Sequence, residues 1–198
     1  APRSQPDASS TSNFEAIAEH IASGKLQAEI AVVISNIESA PGLEKARTLG
    51  LPSLYIPSAK KHREAFDGEV VEVLKKHDVS VVVLAGFMRI LSLVFLDAFP
   101  CGILNIHPSL LPAFPGVDVQ RQALEYGVKF SGCTVHFVSD ALDGGPIILQ
   151  AAVPVLNDDT TERLAARILI EEHQLYWKAI ELVLSGRCEI QGRRVVTR

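Results

Sequence analysis

Asn105 and His107 are the two residues whose types and spacing best suit catalysis in this sequence. They stand two apart at the end of a predicted strand that Pro108 stops, and such residues face the same side of a strand. An Asn side chain can donate a hydrogen bond to a developing oxyanion, and an imidazole can move protons near neutral pH. The pair therefore indicates acyl-transfer chemistry, although both side chains could equally serve to satisfy nearby backbone groups.

Asp143 is a candidate partner for His107. It stands in the run LDGG, residues 142–145, between two predicted strands. Asp-Gly is a common turn signal, so the local pattern taken alone favours a turn. A carboxylate could also interact with a protonated imidazole, but sequence spacing does not show that Asp143 and His107 meet.

The sequence offers several other polar residues whose roles local pattern leaves open or assigns to structure. Apolar residues surround Arg89 in the run GFMRIL, residues 86–91, which could line a pocket for a flat heterocycle or form a buried connection. Arg63 begins a predicted helix and could reach an anion or face solvent. His136 alternates with apolar residues, which indicates a hydrogen-bonded histidine in the core or at its rim. A solvated helix face is predicted for Glu171, Glu172 and His173.

Strands that alternate with helices must position these residues. Ser12 and Glu15 have the spacing of a capping box, which predicts a first helix from Ser12 to Gly24. The remaining pattern predicts strands at 29–35, 53–56, 79–85, 102–107, 130–138 and 146–155, helices at 43–49, 61–77, 93–99, 119–126 and 160–185, and a small hairpin around Gly192. This is an α/β fold with a doubly wound, mostly parallel sheet in a single domain, residues 12–198, after an irregular leader at 1–11. Ligands bind such sheets outside the carboxyl ends of the strands.

Composition limits the function classes. The 198 residues are 47% hydrophobic and 21% charged, with a net charge of -4, so nucleic acid is not an expected partner. No apolar run reaches the ~18 residues of a membrane span. Three widely spaced cysteines form no metal-like pair and indicate a reducing compartment. Dinucleotide, nucleoside-triphosphatase, zinc-protease and serine-hydrolase motifs are absent.

Five sequence runs together resemble one enzyme family. They are LAGFMRIL at 84–91, LNIHPSLLPAFPG at 104–116, RQALEYG at 121–127, GCTVHFV at 132–138 and LDGGPIILQAAVPV at 142–155. This set is similar to the glycinamide ribonucleotide formyltransferases, the folate-dependent enzymes of purine synthesis, from about Ser12 to about Gly186. The Asn–His–Asp set belongs to a wider formyltransferase group and specifies the reaction better than the acceptor.

The resemblance implies catalytic roles. His107 would be the general acid/base for the attacking amine, and Asn105 would polarise the formyl oxygen. Asp143 would orient His107 and help to place a water molecule that shuttles protons. A single co-substrate, 10-formyltetrahydrofolate, is implied, and no metal.

The resemblance also implies binding residues. The folate would contact Arg63, Met88, Arg89, Ile90, Leu91, Asn105, Val138, Ser139, Asp140, Ala141, Leu142 and Asp143. The amine substrate would contact Thr11, Ser12, Asn13, Pro108, Leu169 and Glu172.

The sequence departs from the family at its phosphate loop. Ser9 and Thr11 stand at the two glycine positions of a Gly-x-Gly-Ser-Asn loop, and Leu169 replaces a polar or basic phosphate contact. Close approach of backbone to phosphate usually needs glycine. Two alternatives to the transferase remain. One is a 10-formyltetrahydrofolate hydrolase, which uses a similar catalytic domain, and the other, which follows from the altered loop, is a folate-binding pseudoenzyme with a degraded phosphate loop. A transferase acting on aminoacyl-tRNA is not favoured, because the basic C-terminal domain of such enzymes is not expected here.

The expected partners follow from this interpretation. They are the two small-molecule substrates, with no nucleic acid and no membrane, and the chain is expected to be a monomer or a homodimer. The expected compartment is the cytoplasm, with the plastid stroma as the alternative.

Overall fold

A computed structural model describes residues 8–87 and 89–198, with side chains from residue 11 onward. The chain divides into two compact units, one reaching Ile103 and one from Leu104 to Arg198. Among the described residues, no helix is both long and apolar enough to cross a membrane.

The first unit contains four helices and three short strands among its described residues. They are α1 (Ala8–Ala22), β1 (Val33–Ser35), α2 (Pro41–Thr48), β2 (Ser53–Tyr55), α3 (Arg63–Lys76), β3 (Val82–Leu84) and α4 (Leu93–Ala98). Strands β1 and β2 pair in parallel, with Val33 opposite Ser53. Phe66, Val70 and Leu74 are buried and form the inner face of α3.

Helix α1 begins at Ala8, so the predicted start at Ser12 is wrong. Ser12 lies inside the helix and does not cap it. A helix excludes proline beyond its first turn, and Pro6 is the last proline before this segment, so the chain can become helical soon after it. Residues 8–11 of the predicted irregular leader are therefore helical, and residues 1–7 lie outside the described residues.

The second unit is built around a mixed sheet. Its elements are β4 (Ile103–His107), α5 (Val119–Tyr126), β5 (Phe130–Phe137), β6 (Ile147–Pro154), α6 (Thr161–Leu184), β7 (Cys188–Gln191) and β8 (Arg194–Thr197). The strand order in this unit is β4-β5-β6-β8-β7. Neighbours are antiparallel except β6 and β8, which are parallel and pair at Ile147 and Arg194. The predicted α/β class is confirmed, and so is the predicted C-terminal hairpin.

Helix α6 covers one face of β5 and β6. Cys133 and Val153 of the strands pack with Leu164 and Ile168 of the helix in one buried cluster. Burial, together with the nearby charge of Glu172, raises the pKa of the Cys133 thiol to about 12, so this thiol is neutral near pH 7. The predicted bounds of the helix, 160–185, differ from the observed ones by one residue at each end.

Gly132 lies where the backbone of β5 packs closely against that of β6. A Cβ atom built there would overlap the carbonyl oxygen of Ala151 and press on the side chain of Leu110. Because a backbone oxygen cannot turn aside as a flexible side chain can, the two strands must separate to admit any side chain.

We expect Gly132→Ala to lower the free energy of unfolding by about 1–3 kcal/mol, the usual cost of overpacking. Gly68→Ala is the matched control, because Gly68 lies inside α3 and an added Cβ there meets open space. The control should raise stability by about 0.5–1 kcal/mol through helix propensity. Urea denaturation of the two variants measures both values, and a Gly132→Ala protein as stable as the wild type would contradict the expectation.

Candidate active site

The pairing of β4 with β5 brings the predicted catalytic residues to one face. Asn105 lies opposite His136, and His107 lies opposite Thr134. Alternate residues of a strand share a face, so these four side chains stand as two adjacent cross-strand pairs. The turn between β5 and β6 carries Asp143.

His107 is buried, with 5% of its surface exposed. Its Nε2 lies 2.9 Å from the carbonyl oxygen of Phe114. A carbonyl can only accept, so Nε2 carries a hydrogen and donates it. The other ring nitrogen, Nδ1, lies 3.6 Å from Oδ2 of Asp143. One nitrogen is thus fixed by backbone, while the other faces a carboxylate.

Asp143 serves both as a turn residue and as the partner of His107. Its φ of 48° lies in the left-handed region, which Asp tolerates better than most residues. Its Oδ2 accepts a hydrogen bond of 2.8 Å from the backbone N–H of Gly116. The side chain is 11% exposed, so the carboxylate interacts with these partners with little competition from water.

His136 belongs to the same cluster, which the sequence interpretation did not foresee. Its Nδ1 lies 2.9 Å from the carbonyl oxygen of Phe137 and must donate to it. Its Nε2 is therefore the acceptor for the amide nitrogen of Asn105 at 3.3 Å, and it also lies 3.9 Å from Oδ1 of Asp143. Burial lowers the pKa of His136, which keeps the ring neutral in this arrangement. The register of β4 against β5 is what reveals His136 as a member of this cluster, and that register cannot be predicted from the sequence alone.

Close backbone packing fixes the turn that carries Asp143. A Cβ atom at Gly145 would overlap the carbonyl oxygen of Phe137, and Arg193 of the C-terminal hairpin donates to the carbonyl oxygen of Gly144 at 3.1 Å. The predicted folate contacts of this unit form the segment that leads into the turn. Val138 and Ser139 are half-buried in this segment. The other three residues are exposed: Asp140, Ala141 and Leu142.

The predicted substrate contacts of the second unit occupy two elements. Pro108 directly follows β4 and is half-buried. Leu169 and Glu172 lie on α6, where Leu169 is half-buried and Glu172 is 4% exposed. A helix face in solvent was one interpretation of Glu172, and the burial of this residue shows that this interpretation is wrong.

The remaining predicted contacts belong to the first unit. Arg63 is the first residue of α3, is exposed, and pairs with Glu64 at 3.8 Å. The guanidinium of Arg89 lies 4.9 Å from the ring centroid of Phe66. Ile90 is 54% exposed, whereas Leu91 is buried. Met88 lies outside the described residues.

Thr11, Ser12 and Asn13 are helical. Inside a helix each N–H donates to the carbonyl oxygen four residues earlier, and for Ser12 and Asn13 those residues, Ala8 and Ser9, are themselves helical. The backbone N–H groups of Ser12 and Asn13 are therefore not the free donors of a phosphate-binding loop. A role for these three residues in substrate binding stays a prediction.

Among residues 8–87 and 89–198, no group of three or more His, Cys, Asp and Glu side chains is arranged to hold a metal ion.

Comparison with known proteins shows the family to which the chain belongs. The formyl transferase family matches residues 8–180 of the chain. The chain is 44% identical to a phosphoribosylglycinamide formyltransferase of Escherichia coli, over 90% of this chain and 85% of that protein. It is 45% identical to the trifunctional purine biosynthetic protein adenosine-3 of Bos taurus, over 88% of this chain but only 17% of that longer protein.

Solved structures show the same relationship. The glycinamide ribonucleotide transformylase 1 of Symbiobacterium toebii has a TM-score of 0.93 and 53% identity, covering 95% of this chain and 89% of that one. A formyltetrahydrofolate deformylase of Pseudomonas syringae has a TM-score of 0.87 and 29% identity, covering 97% of this chain and 63% of that one. Because the family matches residues 8–180 and the chain is similar to these relatives over most of its length, the chain belongs to the formyl transferase family.

Proposed function

We propose that this chain transfers the formyl group of 10-formyltetrahydrofolate to the primary amine of glycinamide ribonucleotide in purine synthesis. The observation that carries the proposal is the meeting of Asn105, His107, His136 and Asp143 in one buried cluster. The 44% identity to the E. coli phosphoribosylglycinamide formyltransferase supports the choice of acceptor.

The reaction needs an oxyanion donor. A bond forms between the amine nitrogen and the formyl carbon, and the bond from that carbon to the folate nitrogen breaks, so the carbonyl oxygen carries negative charge in between. An amide nitrogen has two N–H groups, and Asn105 gives one of them to His136. The second makes no hydrogen bond to any of the described residues, so it can donate to the formyl oxygen.

The reaction also needs a proton carrier. The attacking amine must lose a proton, and the departing folate nitrogen must gain one. Nε2 of His107 is engaged with the carbonyl oxygen of Phe114, so the proton passes through the side that faces Asp143. The His107–Asp143 pair holds the proton between the two transfers and returns it when the folate leaves.

Ligand binding is proposed for the residues that the family resemblance implies. In the second unit these are Asn105, Pro108, Leu169, Glu172 and the segment 138–143. In the first unit they are Thr11, Ser12, Asn13, Arg63 and the segment 88–91. The proposed chemistry uses protein side chains and the two small-molecule substrates, without a metal ion. The protein acts as a monomer or homodimer, in the cytoplasm or the plastid stroma.

A hydrolase is the second candidate, because the chain shares its fold with the formyltetrahydrofolate deformylase of P. syringae at 29% identity. The same donor and proton carrier would serve attack by water. A spectrophotometric assay with a 10-formyl folate separates the two activities. Folate release that depends on glycinamide ribonucleotide supports the transferase, and equal release without the amine overturns it in favour of the hydrolase. A folded protein that binds folate without turnover would be the pseudoenzyme.

We expect Asn105→Leu to lower kcat by about 100-fold to 1,000-fold, the usual effect of losing one oxyanion donor. The substitution keeps the size of the side chain and removes its N–H groups. Stopped assays with both substrates at saturation measure the change. A kcat within threefold of the wild type would exclude Asn105 as the oxyanion donor.

For Asp143→Asn we expect a fall in kcat of about 100-fold to 10,000-fold, because the pair with His107 can no longer hold a proton. The backbone should be preserved, since Asn also tolerates positive φ. Asp97→Asn is the control, because Asp97 is an exposed carboxylate of α4 and should retain full activity. Equal activity of the two variants would remove Asp143 from the mechanism.

His136 predicts a pH dependence of stability. Burial lowers its pKa, so the unfolded chain binds a proton more readily than the folded one. The stabilising contribution of the neutral ring is present above the unfolded pKa of about 6.5 and is lost as pH falls below it. We expect His136→Gln to show a flatter loss of stability than the wild type between about pH 7 and 5. Thermal denaturation across this range measures the difference, and parallel curves would contradict it.

A further inference from the structure

We propose that Thr134 is a positioning residue that holds the segment 108–116 in the one conformation that presents its backbone to His107 and Asp143. The expected effect of Thr134 on turnover rests on the proposed function. Its effect on the position of His107 does not rest on that function and is measured separately.

The Thr134 hydroxyl is buried and fully engaged. It donates to the carbonyl oxygen of Ser109 at 2.7 Å and accepts from the backbone N–H of Leu111 at 3.1 Å. It also accepts from Nε2 of Gln150 at 2.9 Å. A hydroxyl has one hydrogen and two lone pairs, so no capacity is left for a substrate. Thr134 therefore acts through the segment that it holds.

Gln150 completes the anchor from strand β6. The same Nε2 that reaches Thr134 also donates to the carbonyl oxygen of Leu111 at 2.9 Å. Both the N–H and the C=O of Leu111 are thus tied to the sheet. Two neighbouring strands, β5 and β6, fix one residue in the middle of an irregular segment.

The far end of the segment reaches the catalytic pair through backbone atoms alone. The carbonyl oxygen of Phe114 accepts from His107, and the N–H of Gly116 donates to Asp143. The Ser109 hydroxyl donates its single hydrogen between the carbonyl oxygens of Ala113 and Phe114, at 2.6 and 3.1 Å, which links the anchored end to the far end.

The conformation at Phe114 needs such support. Its φ of 52° lies in the left-handed region, which is unfavourable for a bulky residue. Without the anchor at Thr134 the segment could relax, and its carbonyl would leave Nε2 of His107. The ring would then be free to take either tautomer and to turn away from Asp143.

Three variants of strand β5 test this. Thr134→Val keeps the shape and removes the hydroxyl, and Thr134→Ser keeps the hydroxyl. Ser131→Ala is the matched control, because Ser131 is equally buried on β5 and its hydroxyl has no partner among the described residues. The direct readout is the tautomer of His107 in protein labelled with ¹⁵N at histidine, assigned by loss of its signals in His107→Gln.

In the wild type we expect a fixed hydrogen on Nε2 of His107. Thr134→Val should lose this signature and give a mixture of tautomers, while Thr134→Ser and Ser131→Ala should keep it. In the formyl-transfer assay, Thr134→Val should lose about 100-fold in kcat, as expected for a misplaced catalytic group, and Thr134→Ser should recover most of it. A Thr134→Val protein with the wild-type tautomer overturns the proposal.

Thr134→Cys carries the test if Thr134→Val does not fold. A thiol can replace the hydroxyl in the buried position but is a weak donor and acceptor, so the bonds to Ser109 and Leu111 are weakened. We expect tautomer mixing in a folded protein, to a smaller extent than in Thr134→Val, and an unchanged spectrum overturns the proposal. If the wild type shows no formyl transfer but Thr134→Val still gives a mixture of His107 tautomers, the proposed function fails and the positioning role of Thr134 stands.

Discussion

Strands β4 and β5 run antiparallel, and their register sets Asn105 opposite His136 and His107 opposite Thr134. A slip of one residue would turn all of these side chains of one strand to the other face of the sheet. The register therefore does more than join two strands, because it selects which donors and acceptors can meet. The close contact between Gly132 and the backbone of β6 adds a second constraint, since it fixes the distance between β5 and its other neighbour.

Burial makes the hydrogen-bond pattern of this cluster selective. The two histidines hold opposite tautomers, with the hydrogen on Nε2 in His107 and on Nδ1 in His136, and a backbone carbonyl dictates each one. At buried ring nitrogens such as these, a donor facing a donor would be costly. Asn105 must then point its amide nitrogen at His136, and its second N–H is oriented as a consequence. The proposed oxyanion donor is thereby oriented by its hydrogen bond to His136.

Much of the fold followed from local pattern. Helix α5 matched its predicted bounds, because Gly127 ends it and an irregular, proline-rich segment precedes it. Helix α1 did not match its predicted start, because the spacing of Ser12 and Glu15 that is typical of a capping box can also occur in the interior of a longer helix. Asn105 and His107 could be identified from the sequence, because both lie on one strand and their spacing alone puts them on the same face. The meeting of His107 with Asp143, and the part played by His136 and Thr134, depend on strand register and on a turn between distant segments, which no short-range pattern encodes.

The left-handed backbone at Asp143 limits how this position can vary over time. Asn and Gly accept a φ of 48° but carry no charge, whereas Glu carries the charge but fits that backbone poorly and is longer by one methylene. Single-step replacements therefore lose either the conformation or the carboxylate. Under the proposed mechanism, the position therefore needs both a residue that accepts positive φ and a carboxylate of this length, and aspartate supplies both.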